Sequence, residues 1–371
     1  MLEADDGISQ HSFVPQPSSQ IAAAGLQRPN SRAAMPRPVT PMYLDKNENP
    51  DPRLQAWYQT ILNELSPVSL STYPDLGPLY EQLSRWLGIP PEQLYLTAGC
   101  DGAIDRTFGI FVAPGDRVLL TKPTFAMYPI YASAYGAKVD FLSYRRTDLG
   151  PELLLGAVLA AIEQRMPRLF CLPNPDSPTG TVFTEDDLHE IIETCGRTGT
   201  ILLVDEAYHP FSEVTAAGFT VANPHVLVAR TFSKAWGLAG LRIGYLIGHP
   251  ETVEWFHRTR PMYEVGGFAD AFLRRAIAEP SQMLESVARL NQGRDYFAAA
   301  MTELGFPCLP SGGNFVHVEF GERAEDVHAA LAGFVLYRAD GNDTCLSGYS
   351  RFSSAPVELF EPVIETVSTV L

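Results

Sequence analysis

The sequence predicts an α/β protein, a mostly parallel sheet sandwiched by helices, followed by a smaller α+β C-terminal domain. Three observations carry that expectation. Short, almost continuously apolar runs ("RLFCL", "TILLV", "HVLVA") recur along the chain, the pattern of strands buried on both faces. Stretches with helical periodicity, such as "TEDDLHEIIETCGR", lie between some of them. Beyond about residue 250 the chain turns helix-rich and then carries only a few short strands.

Taken in order, residues 1–38 are rich in Ser, Pro, Gln and Ala and read as an N-terminal arm with little core of its own. Residues 39–260 read as a large domain and 261–371 as a small one. "QAWYQTILNELS" is helical in period, and "YPDLGPLYEQLSRWLG" is a second helix behind a Pro-Asp start. "EQLYLTAGCDGAIDRTFGIFV" reads as strand, glycine turn and helix, and "GDRVLLTKPTF" as a strand ending at proline. "AKVDFLSY", "RLFCLPNPD", "TGTILLVDEAY", "HVLVARTFS" and "LRIGYLIG" supply further strands. "FADAFLRRAIAEPSQMLESVARLNQGRDYFAAAMTELG" is helical. "GGNFVHVEF", a short helix, "FVLYRAD", "LSGYSRFSS" and a final helix build the small domain.

Bulk properties exclude several classes. The 371 residues are 46% hydrophobic and 19% charged, an ordinary globular composition. The net charge of −16 repels phosphate backbones, so no nucleic-acid partner is expected. Five scattered cysteines form no CxxC pair, so neither a metal centre nor a disulfide framework is expected. The polar, acidic start "MLEADDGISQ" lacks the apolar core of a signal peptide, and no apolar run is long enough to span a membrane. A cytoplasmic enzyme is the expectation.

Ligands on an open parallel sheet bind beyond the carboxyl ends of its strands. The residues falling there are informative. "EQLYL" leads into Thr97, Ala98, Gly99, Cys100 and Asp101, small groups at a helix start whose free N–H groups suit a phosphate. "LFCL" leads to Asn174 and Ser177, "ILLV" to Asp205 and Tyr208, "VLVA" to Thr231, Ser233 and Lys234. Singly, each has a bland reading as a turn, cap or solvated residue. Together, one amine, one acid, one phenol and one phosphate cradle are the parts needed to hold pyridoxal 5′-phosphate.

The ordered set "YLDKNENP", "STYPD", "TAGCDGAID", "KPTFAMY", "PNPDSPTG", "LLVDEAY", "RTFSKAWGLAGLRIGY", "SGGNFVHVEF" and "YSRFSS" resembles the class I/II aminotransferases of pyridoxal-phosphate fold type I, most closely the histidinol-phosphate aminotransferase group. The resemblance covers nearly the whole chain from about Tyr43. It implies a seven-stranded-type sheet and a homodimer. It implies Lys234 as the covalent anchor and proton shuttle, Asp205 as partner of the ring nitrogen and Tyr208 as partner of the ring oxygen. Phe125 is implied to stack on the ring. Thr231, Ser233 and Arg242, with the backbone of Gly99, Cys100 and Asp101, are implied to hold the phosphate. Tyr73 is implied to reach the phosphate of the partner subunit. Asn174 and Ser177 belong to the same implied cofactor set. Arg351 is implied to clamp the substrate carboxylate and Arg338 to contact the substrate's distal end. Asn314 matches as a structural residue near the domain junction.

Two departures stand out. Ser177 occupies the position where the family has Asn, so the ring oxygen loses an amide and Tyr208 carries more of that role. The arm also lacks the tyrosine through which relatives contact the substrate phosphate, which points to a specialised pathway. The expected reaction moves an amino group from an amino acid to a 2-oxo acid. The alternatives are another reaction on the same cofactor (decarboxylation, oxidation or γ-replacement), or a regulatory protein on this scaffold. The last would need a basic DNA-binding domain, and the first 38 residues hold only three arginines.

Overall fold

In the computed structural model the described residues are 21–22, 37–339, 341 and 345–371. The expected arm therefore lies almost wholly outside them. Seven strands form the central sheet: β1 (Leu94–Thr97), β2 (Arg117–Lys122), β3 (Lys138–Ser143), β4 (Leu169–Pro173), β5 (Ile201–Asp205), β6 (Val226–Thr231) and β7 (Gly244–Gly248). Their order across the sheet is β1-β7-β6-β5-β4-β2-β3. All pairings are parallel except those of β7, which runs antiparallel to both β1 and β6. Every residue of β4, β5 and β6 is buried, as their unbroken apolar runs require when helices cover both faces.

Helices α1 (Pro52–Glu64), α2 (Gly77–Leu87), α3 (Gly99–Phe111), α4 (Met127–Ala134), α5 (Leu155–Arg165) and α6 (Glu185–Thr198) connect or flank the strands. Helix α6 starts at a capping box. The Thr184 hydroxyl accepts from the Asp187 N–H, the Asp187 carboxylate accepts from the Thr184 N–H, and Gly199 closes the other end at φ 71°. A small lobe follows the long helix α8 (Pro280–Glu303), which succeeds α7 (Gly267–Ile277). It is built on strands β8 (Phe315–Glu319) and β9 (Tyr349–Ser353) and the final helix α9 (Val357–Ser368).

A division at 260/261 does not follow the packing. Phe272, Leu273, Ala276 and Ile277 of α7 sit in the core beneath the large sheet. Met42 and Leu44 sit instead in the small-lobe core with Phe297, Phe352 and Phe360. The run "FVLYRAD" supplies Val335–Leu336, which pairs in parallel with Met42–Tyr43, while its Arg338 meets β9 in a single antiparallel bridge. The segment just after residue 44 thus crosses between the lobes, and this crossing places Asp45–Asn49 at the cleft. Among the described residues no helix is long and apolar enough to cross a membrane, and no cluster of His, Cys, Asp or Glu could hold a metal ion.

Candidate active site

The cleft opens beyond the carboxyl ends of β4, β5 and β6, where the twisted parallel sheet leaves room between its connections. It has an inner recess of about 320 Å³ and an outer cleft of about 610 Å³. Lys46, Phe125, Ser177, Tyr208 and Lys234 line both. The two spaces therefore meet at the lysine of the "TFSK" motif.

The inner recess begins at α3. Gly99 has φ +74° and the first turn has no side-chain cap, so its N–H groups are left for another acceptor. The Arg242 guanidinium lies directly over Gly99: a Cβ there would stand 3.0 Å from Nη2. Arg242 also donates to the Ser233 hydroxyl at 3.4 Å, and the Thr231 hydroxyl donates to Ser233 at 2.9 Å. Gly244 on β7 permits this crowding, since a Cβ there would fall 2.6 Å from the Gly99 backbone. Thr231, Ser233, Arg242, Cys100 and Asp101 all line the recess. An arginine fork, two hydroxyls and a free helix start form a donor set for a phosphate group.

Asp205, at the end of β5, also lines the recess and is buried. Burial pushes its carboxyl up from the usual value, against hydrogen bonds donated by the Tyr128 hydroxyl (2.7 Å), the Cys100 thiol and the Ala207 N–H. Such a group favours a positively charged neighbour, because a cation restores the solvation that burial removed. Tyr128 was not foreseen. It lies on α4, 77 residues from Asp205, and nothing local in "KPTFAMY" announces the pairing.

Lys234 donates to the Lys46 carbonyl at 2.8 Å and lies 5.9 Å from the centre of the Tyr208 ring. The Tyr208 hydroxyl accepts from the Asn47 amide at 2.9 Å. Asn47, like Tyr128, carries a role that sequence reading does not assign. Its φ of 54° is left-handed, as is the 53° of Arg242. Among the described residues three non-glycines have positive φ, and these two line the cleft. Each costs of order 1–3 kcal/mol, and such strain persists where surrounding contacts fix the site.

Asn314 donates to the Asn47 carbonyl at 3.0 Å, and the Asn47 N–H donates to Ser353, so the small lobe holds this strained residue in place. Phe125 lines both spaces and packs edge-on against Tyr128. Ser177 lines both as well.

Asn174, expected at the cofactor, is a correction. Its amide donates to the Phe183 carbonyl and accepts the Phe183 N–H at 2.8 Å, and it does not line the recess. An Asn at a strand end has local backbone groups in reach, and here they use both its polar atoms. Tyr73 does not reach this chain's own cleft either. It is exposed and stacks on Tyr263 with ring centres 4.6 Å apart.

The outer cleft holds both predicted arginines. Arg338 and Arg351 pair backbone to backbone, and both guanidinium groups donate to the Asp45 carbonyl at 3.1 Å. They stand side by side at one oxygen. Burial, and then the charge of Arg338, push the Arg351 guanidinium down from its usual value. Among the described residues, Lys46, Lys234, Arg338 and Arg351 line the outer cleft without any Asp or Glu. Like charges gathered without a carboxylate attract anions.

Behind Ser177, Asp176 is buried. Burial pushes its carboxyl up from 3.8 to about 6, against hydrogen bonds from Thr179 and Thr121. A carboxyl raised in the folded state adds stability that is complete below the unfolded value and is lost as pH rises through about 6. Asp176→Asn keeps an acceptor for Thr179 and does not titrate. Its stability relative to the parent therefore rises between pH 4 and pH 7.5, by roughly 3 kcal/mol at most. Parallel curves of melting temperature against pH for the two proteins would refute this.

A family model described as aminotransferase class I and II matches residues 39–356. The chain is 31% identical to a histidinol-phosphate aminotransferase of Syntrophotalea carbinolica, over 88% of this chain and 92% of the relative. It is 32% identical to one of Roseiflexus castenholzii, over 87% and 93%. Its fold matches a histidinol-phosphate aminotransferase of Sinorhizobium meliloti solved in complex with pyridoxal-5′-phosphate. That match has a TM-score of 0.77 and 22% identity, and it covers 97% of this chain and 100% of the other.

Proposed function

The chain belongs to the aminotransferase class I and II family and is a pyridoxal-phosphate-dependent aminotransferase, and we propose that it acts on an amino substrate bearing an additional anionic group. The observation that carries this reading is the outer cleft: Lys46, Arg338 and Arg351 face it, and among the described residues no carboxylate does. One α-carboxylate would leave that charge undercompensated. A second carboxylate or a phosphate ester would balance it.

The roles of individual residues follow from what each can supply. Arg242, Ser233, Thr231 and the uncapped start of α3 bind the cofactor phosphate. Asp205, ionised opposite a cationic ring nitrogen, keeps that nitrogen protonated, and Tyr128 fixes the carboxylate's orientation. Tyr208, steadied by Asn47, donates to the ring oxygen, with Ser177 contributing less than the family's Asn would. Phe125 covers one ring face. Lys234 would anchor the cofactor covalently through its ε-amine, and the same amine would serve as the base for the substrate Cα proton. Arg351 holds the carboxylate that orients this Cα, with Arg338 beside it. Bound in the recess, pyridoxal phosphate supplies an exchangeable aldehyde and an electron-withdrawing ring.

The homodimer is part of the same reading. The exposed Leu70, Tyr73, Met262 and Tyr263 suit a partner subunit whose cofactor phosphate Tyr73 would reach. A solution mass of a single 40.8 kDa chain would count against it. Cys100, Cys171, Cys195 and Cys308 carry free thiols, which supports a reducing cytoplasm, and a periplasmic fraction holding the protein would contradict that.

Purified holoenzyme mixed with single donors tests the function. Glutamate and aspartate should convert the cofactor's visible absorption to the amine form, and a 2-oxo acid should restore it. Their kcat/KM should exceed that of alanine by about 10- to 100-fold. Equal use of alanine would refute the anionic substrate. Release of CO₂ or consumption of O₂ without restoration would favour decarboxylation or oxidation.

A further inference from the structure

His317 belongs to neither the cofactor set nor the arginine pair, yet it lines the outer cleft. It lies on β8 directly opposite Arg351 of β9 in antiparallel register. Opposed residues of an antiparallel pair project from the same face with Cβ atoms about 5 Å apart. The imidazole is 2% exposed and is held edge-on by Phe315 (5.5 Å between ring centres) and Tyr349 (6.5 Å). Among the described residues its Nδ1 is buried without a hydrogen-bond partner, and so is Nε of Arg351. Native interiors rarely leave such atoms unpaired, and two in one cleft call for a missing ligand. A residue needed only to fill space here would be better as leucine, which has no nitrogen to desolvate.

We propose that His317 is a specificity-determining residue whose imidazole N–H donates to the substrate anion held by Arg351. The inference rests on the aminotransferase reading above and adds a second donor class to its carboxylate site. The ring is suited to this because burial, and then the Arg351 charge, push its pKa down to about 3. The imidazole is therefore neutral at physiological pH and adds a directed hydrogen bond without a third positive charge beside Arg338 and Arg351. The site thereby favours planar two-oxygen anions that can meet a guanidinium and an N–H together. The aromatic contacts hold the ring in place before substrate arrives, so little ordering cost is incurred on binding.

Holoenzyme variants H317L, H317N and H317Q test this, with glutarate and butyrate as non-reacting probes read by their effect on the cofactor's visible absorption. The Asn amide nitrogen lies near the position of Nδ1 and the Gln amide nitrogen near that of Nε2. Expected is about 10- to 100-fold weaker binding of both probes to H317L. One of H317N and H317Q should stay within about threefold of the parent, identifying the donating nitrogen. The probe-free spectrum should be the same in all four proteins, which a change of general structure would not allow. Unchanged binding to H317L, or equal loss in all three variants, overturns the proposal. Weakening confined to glutarate also overturns it, since that puts His317 at the far anion. If the parent transfers amino groups normally while H317L matches it, only this inference fails. If the parent neither binds the probes nor transfers amino groups, the reading beneath it fails too.

Discussion

Lys234→Ala should abolish both the visible absorption of the bound cofactor's covalent form and catalytic turnover, the latter by at least about 10⁴-fold. Two separate functions would be lost in one side chain. The ε-amine is the covalent anchor, and it is also the base that serves the substrate Cα once released. The structure gives the amine a position from which both are feasible: it sits where the inner recess and the outer cleft meet, beside Tyr208, with the Lys46 carbonyl as its present acceptor. The cofactor should still bind, because Arg242, Ser233, Thr231 and Asp205 are untouched. Equilibrium dialysis should therefore recover pyridoxal phosphate on the variant while its spectrum is that of the unlinked aldehyde. Added methylamine can take over the anchoring role but not the positioned proton transfer, so it should restore the spectrum far better than the rate. A Lys234→Ala protein with the parent's absorption and turnover would remove the basis of the whole functional reading.

Much of this site was legible because its parts lie at strand ends, and strand ends show in the sequence as the points where apolar runs stop. "ILLV" stops at Asp205 and "VLVA" before Thr231, and both residues line the recess. The orientation of β7 was not legible, since "LRIGYLIG" is equally apolar run either way. The hairpin Arg145–Thr147 with Gly150–Glu152 was missed for a different reason. It is short and only partly buried, and it is tied down by Arg146 to Glu319, 173 residues away, so no local periodicity marks it. Tyr128 and His317 were invisible on the same ground, because their importance comes from partners on other strands. Asn174 shows the opposite failure. Its place at a strand end was read correctly, but a short amide can turn back on its own loop, and sequence position says nothing about which way it turns.

Asp205→Asn should lower amino transfer by on the order of 10³-fold while leaving the cofactor covalently attached to Lys234. The size follows from the position of the charge. Asp205 is buried and surrounded by groups that orient it, namely the Tyr128 hydroxyl at 2.7 Å and the Ala207 N–H at 3.0 Å. Without a cation nearby, burial raises its proton affinity. A protonated ring nitrogen reverses that balance, and the same low-dielectric setting then makes the pair strong. An asparagine amide is nearly the same shape but carries no charge, so the ring nitrogen loses its proton and the ring withdraws electrons weakly. Tyr128→Phe isolates the orienting contribution. It removes one hydrogen bond to a charged group and should cost about 10- to 100-fold, less than the loss of the charge itself. The two effects should not add, since Tyr128 acts only through the carboxylate: the double variant should be no slower than Asp205→Asn alone by more than about threefold. Additive losses would mean that Tyr128 acts on the substrate by its own route, and an Asp205→Asn enzyme of near-parental rate would mean that the ring nitrogen's proton is held by some other group.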